Sequence, residues 1–505
     1  MSRRRLFAAC VALLLAGCMV GPDYQRPKLD LPAAYPSAPD HAAASAAQPA
    51  VTPDWWTLYQ DPALNDLVAT ALVNNADIHV AVARVEEAQA TVREVDAALF
   101  PEIDLGGGAS RTRSNPALIT PGSAPIRNDF RLGLSTSFEL DFWGRLRRAA
   151  EAARAQALGT HYARDVVALT LAGDTAHTYF SLRSLDAQII ATRETLRTRE
   201  ESAALVDRRA RGGVASDLDV AQAEGLRAQA AAQLKELVRL RAATEHLLGT
   251  LTGKLDLRID EAGLERIPLP PQPPAGLPST LLERRPDIRK AEQDLVAANA
   301  QIGVARAALL PNISLTGDVG GESLGLSSLL RYGSRTWSIG FALAQPIFDA
   351  GRREAAVQGQ EAVEREVLAA YQKSIQTAFR EVSDALTDLQ QTTAAAADQD
   401  ARVLAARNAL RLANRRYTSG LSTFLDVLDA QRTVNDAELA QIVNRQAQLG
   451  ASIDLMKALG GGWLAERTQA SVAPASEAAA ALLRAIVPGR AEDDIPACCR
   501  DAEIA

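Results

Sequence analysis

Two stretches of this chain carry the same landmarks at the same separation, and no other feature restricts its fold as tightly. Gly144-Arg145 follows an alternating, aromatic-ended run and opens a long helical tract that Gly213 interrupts; Gly351-Arg352 and Gly420 do the same later. Both glycine-to-glycine intervals are 69 residues. Leu218-Asp219-Val220 with Ala223-Glu224 is matched by Leu425-Asp426-Val427 with Ala430-Gln431. Upstream, Asp77-Ile78 and Phe100-Pro101-x-Ile103 are matched by Asp287-Ile288 and Leu310-Pro311-x-Ile313. The offset is 210 residues before the alternating runs and 207 after them, so one loop differs by three residues. Such a chain is two copies of one helix, hairpin, helix, helix unit.

The amino terminus reads as an export signal over residues 1–17: Arg3, Arg4 and Arg5 precede an apolar run, Leu6 to Ala16, too short to span a bilayer. It ends in Leu15-Ala16-Gly17-Cys18, which resembles a bacterial lipobox and makes Cys18 the expected lipidated first residue. Met19 rather than aspartate follows, which in such lipoproteins implies sorting to the outer membrane. Loss of three arginines and no acid takes the net charge from -7 to -10, which argues against nucleic acid as a partner. Cys10 leaves with the signal, and adjacent Cys498 and Cys499 make no disulfide framework.

Residues 18–53, rich in proline, alanine and serine, read as a flexible leader from the lipid to the body. The first repeat covers residues 54–253. A helical pattern runs from about Leu64 to Leu99, and Phe100-Pro101 stops it. The period then becomes two, in a hairpin over 101–141. Ile103, Leu105, Gly107 and Ala109 alternate with Asp104, Gly106, Gly108 and Ser110; Phe130, Leu132, Leu134, Thr136, Phe138 and Leu140 alternate with Arg131, Gly133, Ser135, Ser137 and Glu139. The second repeat, 287–462, places its hairpin over 311–347, with Ile313, Leu315 and Val319 and then Trp337, Ile339, Phe341 and Leu343 on the apolar side.

One apolar face, one small or polar face and a length near the ~9–11 residues of a membrane strand predict a transmembrane β-barrel. Lipid leaves no strand edge open, because each unpaired backbone group costs several kcal/mol there. Small membrane barrels begin at about eight strands. This chain supplies four, so it must oligomerise: a dimer gives eight and a trimer twelve.

Gly144 to Gly213 as helix spans roughly 100 Å, and the return segment to Gly253 roughly 60 Å. One long helix is thus matched by two shorter ones end to end. Tyr162, Val166, Leu169, Gly173, Ala176 and Phe180 step by four and three, as do Tyr371, Ile375, Ala378, Val382, Ala385 and Leu389. The predicted fold is mainly α with a β-barrel portion. Between the repeats, residues 254–286 are an equatorial linker passing around the outside, with seven prolines from Ile267 to Pro286; residues 463–505 form an alanine-rich tail expected to be partly ordered at most.

A lipobox, Trp55-Trp56 after a loose leader, duplicated hairpins and paired long helices together resemble the outer membrane factor family, the TolC and OprM type of channel. Arg285-Pro286-Asp287-Ile288 resembles a run in its lipoprotein members, as does Tyr417-x-x-Gly420 before Leu425-Asp426-Val427-Leu428-Asp429-Ala430. The resemblance covers about residues 55 to 465. It implies a homotrimer with a twelve-stranded outer-membrane barrel, a twelve-helix periplasmic α-barrel and an equatorial belt. It also implies two partners, a periplasmic adaptor and an inner-membrane pump, proton-driven, from which small toxic compounds or drugs pass to the exterior. Asp426 and Asp429, three apart and so on one helix face, are then the periplasmic gate, with six carboxylates per trimer and a preference for cations. Tyr417 corresponds to a tyrosine that in some relatives latches the inner helices. An arginine sometimes found two residues past the glycine is Ser422 here, which leaves Arg415 or Arg416 to substitute. The turns, Gly212, Gly213, Val214 and Ser216 in one and Gly420, Leu421 and Ser422 in the other, are the expected adaptor-docking tips.

No catalytic set is present. The five histidines have no metal-binding spacing, and no phosphate loop, nucleophile elbow or dinucleotide fingerprint stands in context. The expectation is therefore no enzyme, no metal and no cofactor beyond the lipid on Cys18. Two rival readings keep the same long helices: a type I protein-secretion channel, and a non-conducting, lipid-anchored periplasmic coiled coil.

Overall fold

The computed structural model describes residues 19–28, 32, 35, 52–115, 124–264, 267–272 and 281–462. The signal, Cys18, the tail and the other three cysteines lie outside them. After a 3-10 turn at Trp55–Tyr59 come helices α1 (Pro62–Asn74) and α2 (Ala76–Ala97), strands β1 (Glu102–Arg113) and β2 (Ile126–Glu139), and helices α3 (Arg145–Arg211) and α4 (Asp217–Thr252). A single helical turn at Leu281–Arg284 precedes α5 (Pro286–Ala307), β3 (Asn312–Ser323), β4 (Arg335–Ala344), α6 (Arg352–Thr418) and α7 (Phe424–Ala458). The two long helices, α3 and α6, have 67 residues each, roughly 100 Å of rise. Each begins at a glycine with positive φ, Gly144 at 77° and Gly351 at 82°. Glycine adopts this left-handed conformation without the strain that a Cβ brings to it.

The four strands form one antiparallel sheet in the order β1-β2-β3-β4, so the hairpins lie side by side and β1 and β4 are its edges. The register aligns the alternation of all four. Leu105 pairs with Leu134, Leu134 with Val319 and Val319 with Trp337; Leu315 pairs with Phe341 and Ile313 with Leu343. These side chains make one continuous apolar face, and Trp337, Ile339 and Phe341 are each about three-quarters exposed on it. The other face aligns Asp104, Ser135, Asp318 and Ser338 in one row. A slip of one residue would exchange the faces, so the pattern fixes the register.

Long helices of low hydrophobicity are held by shorter neighbours. α3 packs on α1, α2, α4, α5 and α7, and α6 packs on α5 and α7, so both long helices are held by shorter ones. On α6 the predicted stripe from Tyr371 to Leu389 is buried at all six positions. Among the described residues no helix is long and apolar enough to cross a membrane.

The structure corrects three expectations. The helix predicted from Leu64 to Leu99 is broken at Asn75, whose backbone is extended. Its side chain accepts from the Asp77 amide at 2.7 Å and donates to the Leu251 carbonyl at 2.9 Å, so a tertiary bond to α4 fixes the break. The start of the leader is not loose. The Val20 amide donates to the Trp143 carbonyl (3.0 Å), Asn299 donates to the Pro22 carbonyl (2.8 Å), and Arg26 makes a two-pronged bond to Glu292 (2.6 and 2.8 Å). A Cβ on Gly21 would lie 2.6 Å from the Gly303 Cα, so two glycines set that approach. Finally, the linker enters the core: Leu264 and Ile267 are buried with Trp55, Tyr59, Leu182 and Leu248.

Buried charges hold that linker. Asp186 accepts from Arg241 (2.6 Å), Arg183 (3.2 Å) and the Ala262 amide (3.3 Å). Arg183 and Arg241 in turn donate to the carbonyls of Asp260 and Ile259, both at 2.6 Å, and Glu245 accepts from the Ile259 amide at 2.8 Å. Removing one member leaves buried charge uncompensated. Asp186→Ala is expected to lose about 3–5 kcal/mol of stability, measured by chemical unfolding in detergent, with Arg193→Ala at the exposed Glu261 pair as the near-neutral control.

Candidate functional site: the helical tips

The far ends of both repeats are built alike. At the first, Gly213 has φ 74°; its amide donates to Ala210 and the Val214 amide reaches back to Arg209, at 2.9 and 2.8 Å. These bonds satisfy carbonyls that the end of α3 would leave unpaired. Arg208, Arg209 and Arg211 sit in that last turn, where positive charge suits the helix dipole. The chain then restarts at a capping box: the Asp219 amide donates to Ser216 Oγ (3.2 Å) and the Ser216 amide to the Asp219 carboxylate (3.0 Å). At the second tip Gly420 has φ 70°, the Leu421 amide donates to Arg416 (2.8 Å), and the Thr423 amide donates to the Asp426 carboxylate (3.2 Å).

Of the expected gate residues, Asp426 and Asp429 are both exposed on one side of α7, while Val427 and Leu428 are buried on the other. Asp426 also has a local duty at the start of its helix, equivalent to that of Asp219 in the other repeat. The Asp429 carboxylate has no such backbone partner among the described residues. Tyr417 is half-buried and packs on Phe424, with centroids 5.3 Å apart. The guanidinium over its ring is that of Arg209, at 4.6 Å, from the other tip. Neither Arg415 nor Arg416 takes that place, so the expected substitution is corrected: the contact joins the ends of α3 and α6. The Ser422 hydroxyl is buried and has no hydrogen-bond partner among the described residues.

Of the expected docking residues, Gly212, Gly213, Val214, Ser216, Gly420 and Leu421 are exposed and Ser422 is half-buried. Two leucines not singled out in the sequence as docking residues, Leu218 and Leu425, are exposed beside them. They form, with Val214 and Leu421, an aliphatic pair repeated at both tips, each side chain 59–72% exposed. Their equivalence was available from the 207-residue offset. Beneath the tips, Val206 and Leu226 pack with Phe424, Val427 and Leu428, so residues from the two repeats share one cluster. Above it, polar residues lie in the seam between α3 and α7, where Gln431 donates to Ser202 (3.0 Å) and Thr195 to Asn435 (3.2 Å), while Arg199 ties α3 to α4 by donating to the Leu226 carbonyl (2.9 Å). Burial, with Arg432 nearby, lowers the Arg199 pKa. Among the described residues no group of acidic, histidine or cysteine side chains is placed to hold a metal ion.

The architecture has known counterparts. A family model described as outer membrane efflux protein matches residues 67–254 and 277–461, one match in each repeat. The chain belongs to this outer membrane efflux protein family. It is an outer-membrane efflux channel, and the family's role is transport rather than catalysis. The channel is 37% identical over 480 residues to the probable efflux pump outer membrane protein TtgC of Pseudomonas putida, covering 93% of this chain and 98% of that one. It is 35% identical over 468 residues to the cation efflux system protein CusC of Escherichia coli, covering 92% and 100%. Among solved structures, a membrane protein from Pseudomonas aeruginosa superposes with a TM-score of 0.81 at 33% identity, covering 88% of this chain and all of that one. The non-conducting coiled-coil reading is thereby set aside.

The Arg285-Pro286-Asp287-Ile288 run of this efflux channel has a structural reason. Pro286 opens α5, Ile288 is buried, and Arg285 binds Asp287 (2.8 and 3.0 Å), Glu381 (2.7 Å) and the Ala458 carbonyl (3.1 Å). Burial opposes its charge, but the Asp287 and Glu381 carboxylates raise its pKa overall. One side chain thus ties α5 to α6 and α7.

Ser216→Ala is expected to loosen the first turn of α4 by about 1 kcal/mol. Faster amide exchange at Asp219, with Thr423 and its tip unchanged, would be the reading; equal exchange at Asp219 would deny the cap its part.

Proposed function

We propose that three copies close a twelve-stranded barrel in the outer membrane and continue it as a twelve-helix tunnel through the periplasm. One observation carries this: a single four-stranded sheet with a continuous apolar face whose two outer strands have no further partner among the described residues. Lipid on that face demands closure by further copies, and the likeness to TolC-type channels selects three over two. The α3/α4 and α6/α7 pairs form the tunnel wall, and the leader, linker and α5 lie around its equator.

In the same reading Cys18 carries the lipid. The support is position: the next residues, Met19 and Val20, pack at Gly144 and Trp143, where strand passes into helix and the membrane boundary falls. The tips meet a periplasmic adaptor through Val214, Leu218, Leu421 and Leu425, with Gly212, Gly213, Ser216, Gly420 and Ser422 letting the backbone approach closely. Beyond the adaptor stands an inner-membrane pump, proton-driven. The cargo is small toxic organic compounds or drugs. A soft-metal path through thioethers finds no support, because of the three methionines Met456 is buried in the core and Met19 packs against Gly144.

The gate lies at the tip end of α7. Six carboxylates, Asp426 and Asp429 from each copy, ring the closed pore and favour cations. Arg209 over Tyr417 holds the end of α6 to that of α3, so release of that contact accompanies opening. The reconstituted protein is expected to form heat-dissociable trimers that conduct, and Asp426→Asn/Asp429→Asn to lower the cation preference of single channels severalfold. Unchanged selectivity would remove these residues from the gate, and a detergent monomer without conductance would end the barrel reading. Replacing Gly213 and Gly420 together by tryptophan is expected to abolish crosslinking to the adaptor while trimers persist; normal efflux in that variant would take the tips out of the interface.

A further inference from the structure

The channel is acidic, yet the outer ends of its hairpins are not. Residues 105–128 hold Arg111, Arg113 and Arg127 without one carboxylate or lysine, and residues 323–348 hold Arg331 and Arg335, again without either. Strand alternation sorts them by face. Arg111 and Arg113 share the parity of Ile103 and Leu105, and Arg335 that of Trp337 and Ile339, so these three belong to the apolar, outward side of the sheet. Arg131, on the opposite face, is neutralised by Asp129 at 3.0 Å and Glu322 at 3.3 Å. The outward arginines have no carboxylate partner among the described residues. All of them, with Arg331 in the β3–β4 loop, are exposed.

The surroundings are those of a membrane boundary. Arg335 lies 4.9 Å over the ring of Tyr332. Tyr332 and Leu330 are each 82% exposed and Leu326 68%, in the loop just outside β4. Aromatic and aliphatic groups beside arginine suit the level where acyl chains meet headgroups. In the trimer proposed above, on which this inference rests, β4 of one copy lies about 4.8 Å from β1 of the next. Each of the three seams then gathers four outward or rim arginines, two from each copy. Closure does not neutralise them, because neither β4, its loop nor the outer part of β1 contains an acid. Four guanidinium groups in a band at the edge of lipid require anions from outside the protein. Arginine suits phosphate, since its planar fork donates two parallel bonds.

We propose that each seam of the barrel binds the phosphate groups of a glycolipid in the outer leaflet, through Arg111 and Arg113 of one copy and Arg331 and Arg335 of its neighbour. The headgroup lies against the arginines and its acyl chains lie along Trp337, Ile339 and Phe341. The bound lipid thereby bridges the two strands that meet between subunits.

The test uses the full-length, delipidated trimer with diphosphorylated lipid A as probe, bound lipid being counted by native mass spectrometry. Dephosphorylated lipid A and excess inorganic phosphate are parallel arms. Arg111→Gln/Arg113→Gln/Arg331→Gln/Arg335→Gln is expected to lower retention of the diphosphorylated lipid at least tenfold. The lumen-side variant Arg127→Gln should keep it, and the four-lysine variant should retain part of it. The wild type should hold the dephosphorylated lipid at least tenfold more weakly, and phosphate alone should not displace the diphosphorylated form completely. Equal retention in the wild type and the glutamine variant overturns the proposal; so does equal binding of the two lipids by the wild type, a comparison that stands even if the variant does not assemble. Heat-dissociation gels on the same wild-type sample report the trimer separately, so a failed barrel is distinguished from a barrel that ignores phosphate.

Discussion

A β-strand edge cannot be left facing hydrocarbon, and most of this channel's architecture follows from that constraint. Backbone amides and carbonyls without partners there cost several kcal/mol each. The four strands satisfy one another through three antiparallel pairings and leave β1 and β4 open. The aligned register supplies the greasy face that makes those edges intolerable in isolation. On the proposed trimer the same edges become seams, and what gathers at a seam is decided by which residues lie near the ends of β1 and β4. The outward arginines matter for that reason, whereas Arg131, well inside the sheet and paired with acids, does not.

The helical part solves a different problem. Helices of roughly 100 Å with modest apolar content draw most of their stability from packing, and each is held by shorter helices beside it. The joints between the short helices are where, in the proposed trimer, the equator forms. There the structure uses buried ion pairs as well as packing. Asp186, with Arg183 and Arg241, fastens the linker from the first repeat, and Arg285, with Asp287 and Glu381, fastens the start of the second. A buried charge that has several fixed partners specifies one arrangement more strongly than it adds stability. Here those bonds tie the linker to α3 and α4, and the start of α5 to α6.

At the tips, stability and exposure are balanced by short-range devices. Glycines in the left-handed region and capping boxes close each helix pair with few buried side chains. The aliphatic pairs Val214 with Leu218 and Leu421 with Leu425 can therefore stay in solvent without being drawn into a core. Asp426 has a place in this economy as well as in the proposed gate, since its carboxylate caps the Thr423 amide. Asp429 has no such duty among the described residues, and in the proposed gate the more direct electrostatic part falls to it.

Much of this was legible in the chain because the signals are local. Period-two alternation from Ile103 and from Trp337 specified strands, and glycines at 144, 213, 351 and 420 marked the turns. The equal 69-residue intervals made the long helices equal, since backbone dihedrals and alternation act over a few residues. The aspartate pair on α7 was visible for the same reason. What required the tertiary structure was every decision made by residues distant in sequence. Asn75 breaks a good helix because Leu251 offers it a carbonyl; a proline-rich linker becomes core because two arginines seize its carbonyls. Likewise residues 19–28, which look like a tether, lie packed because Gly303 leaves room for Gly21. Tyr417 meets Arg209 rather than either neighbouring arginine because the ends of α3 and α6 converge. A side chain's own neighbours set its dihedrals, but only the closed fold sets which unpaired polar group, cavity or charge it meets.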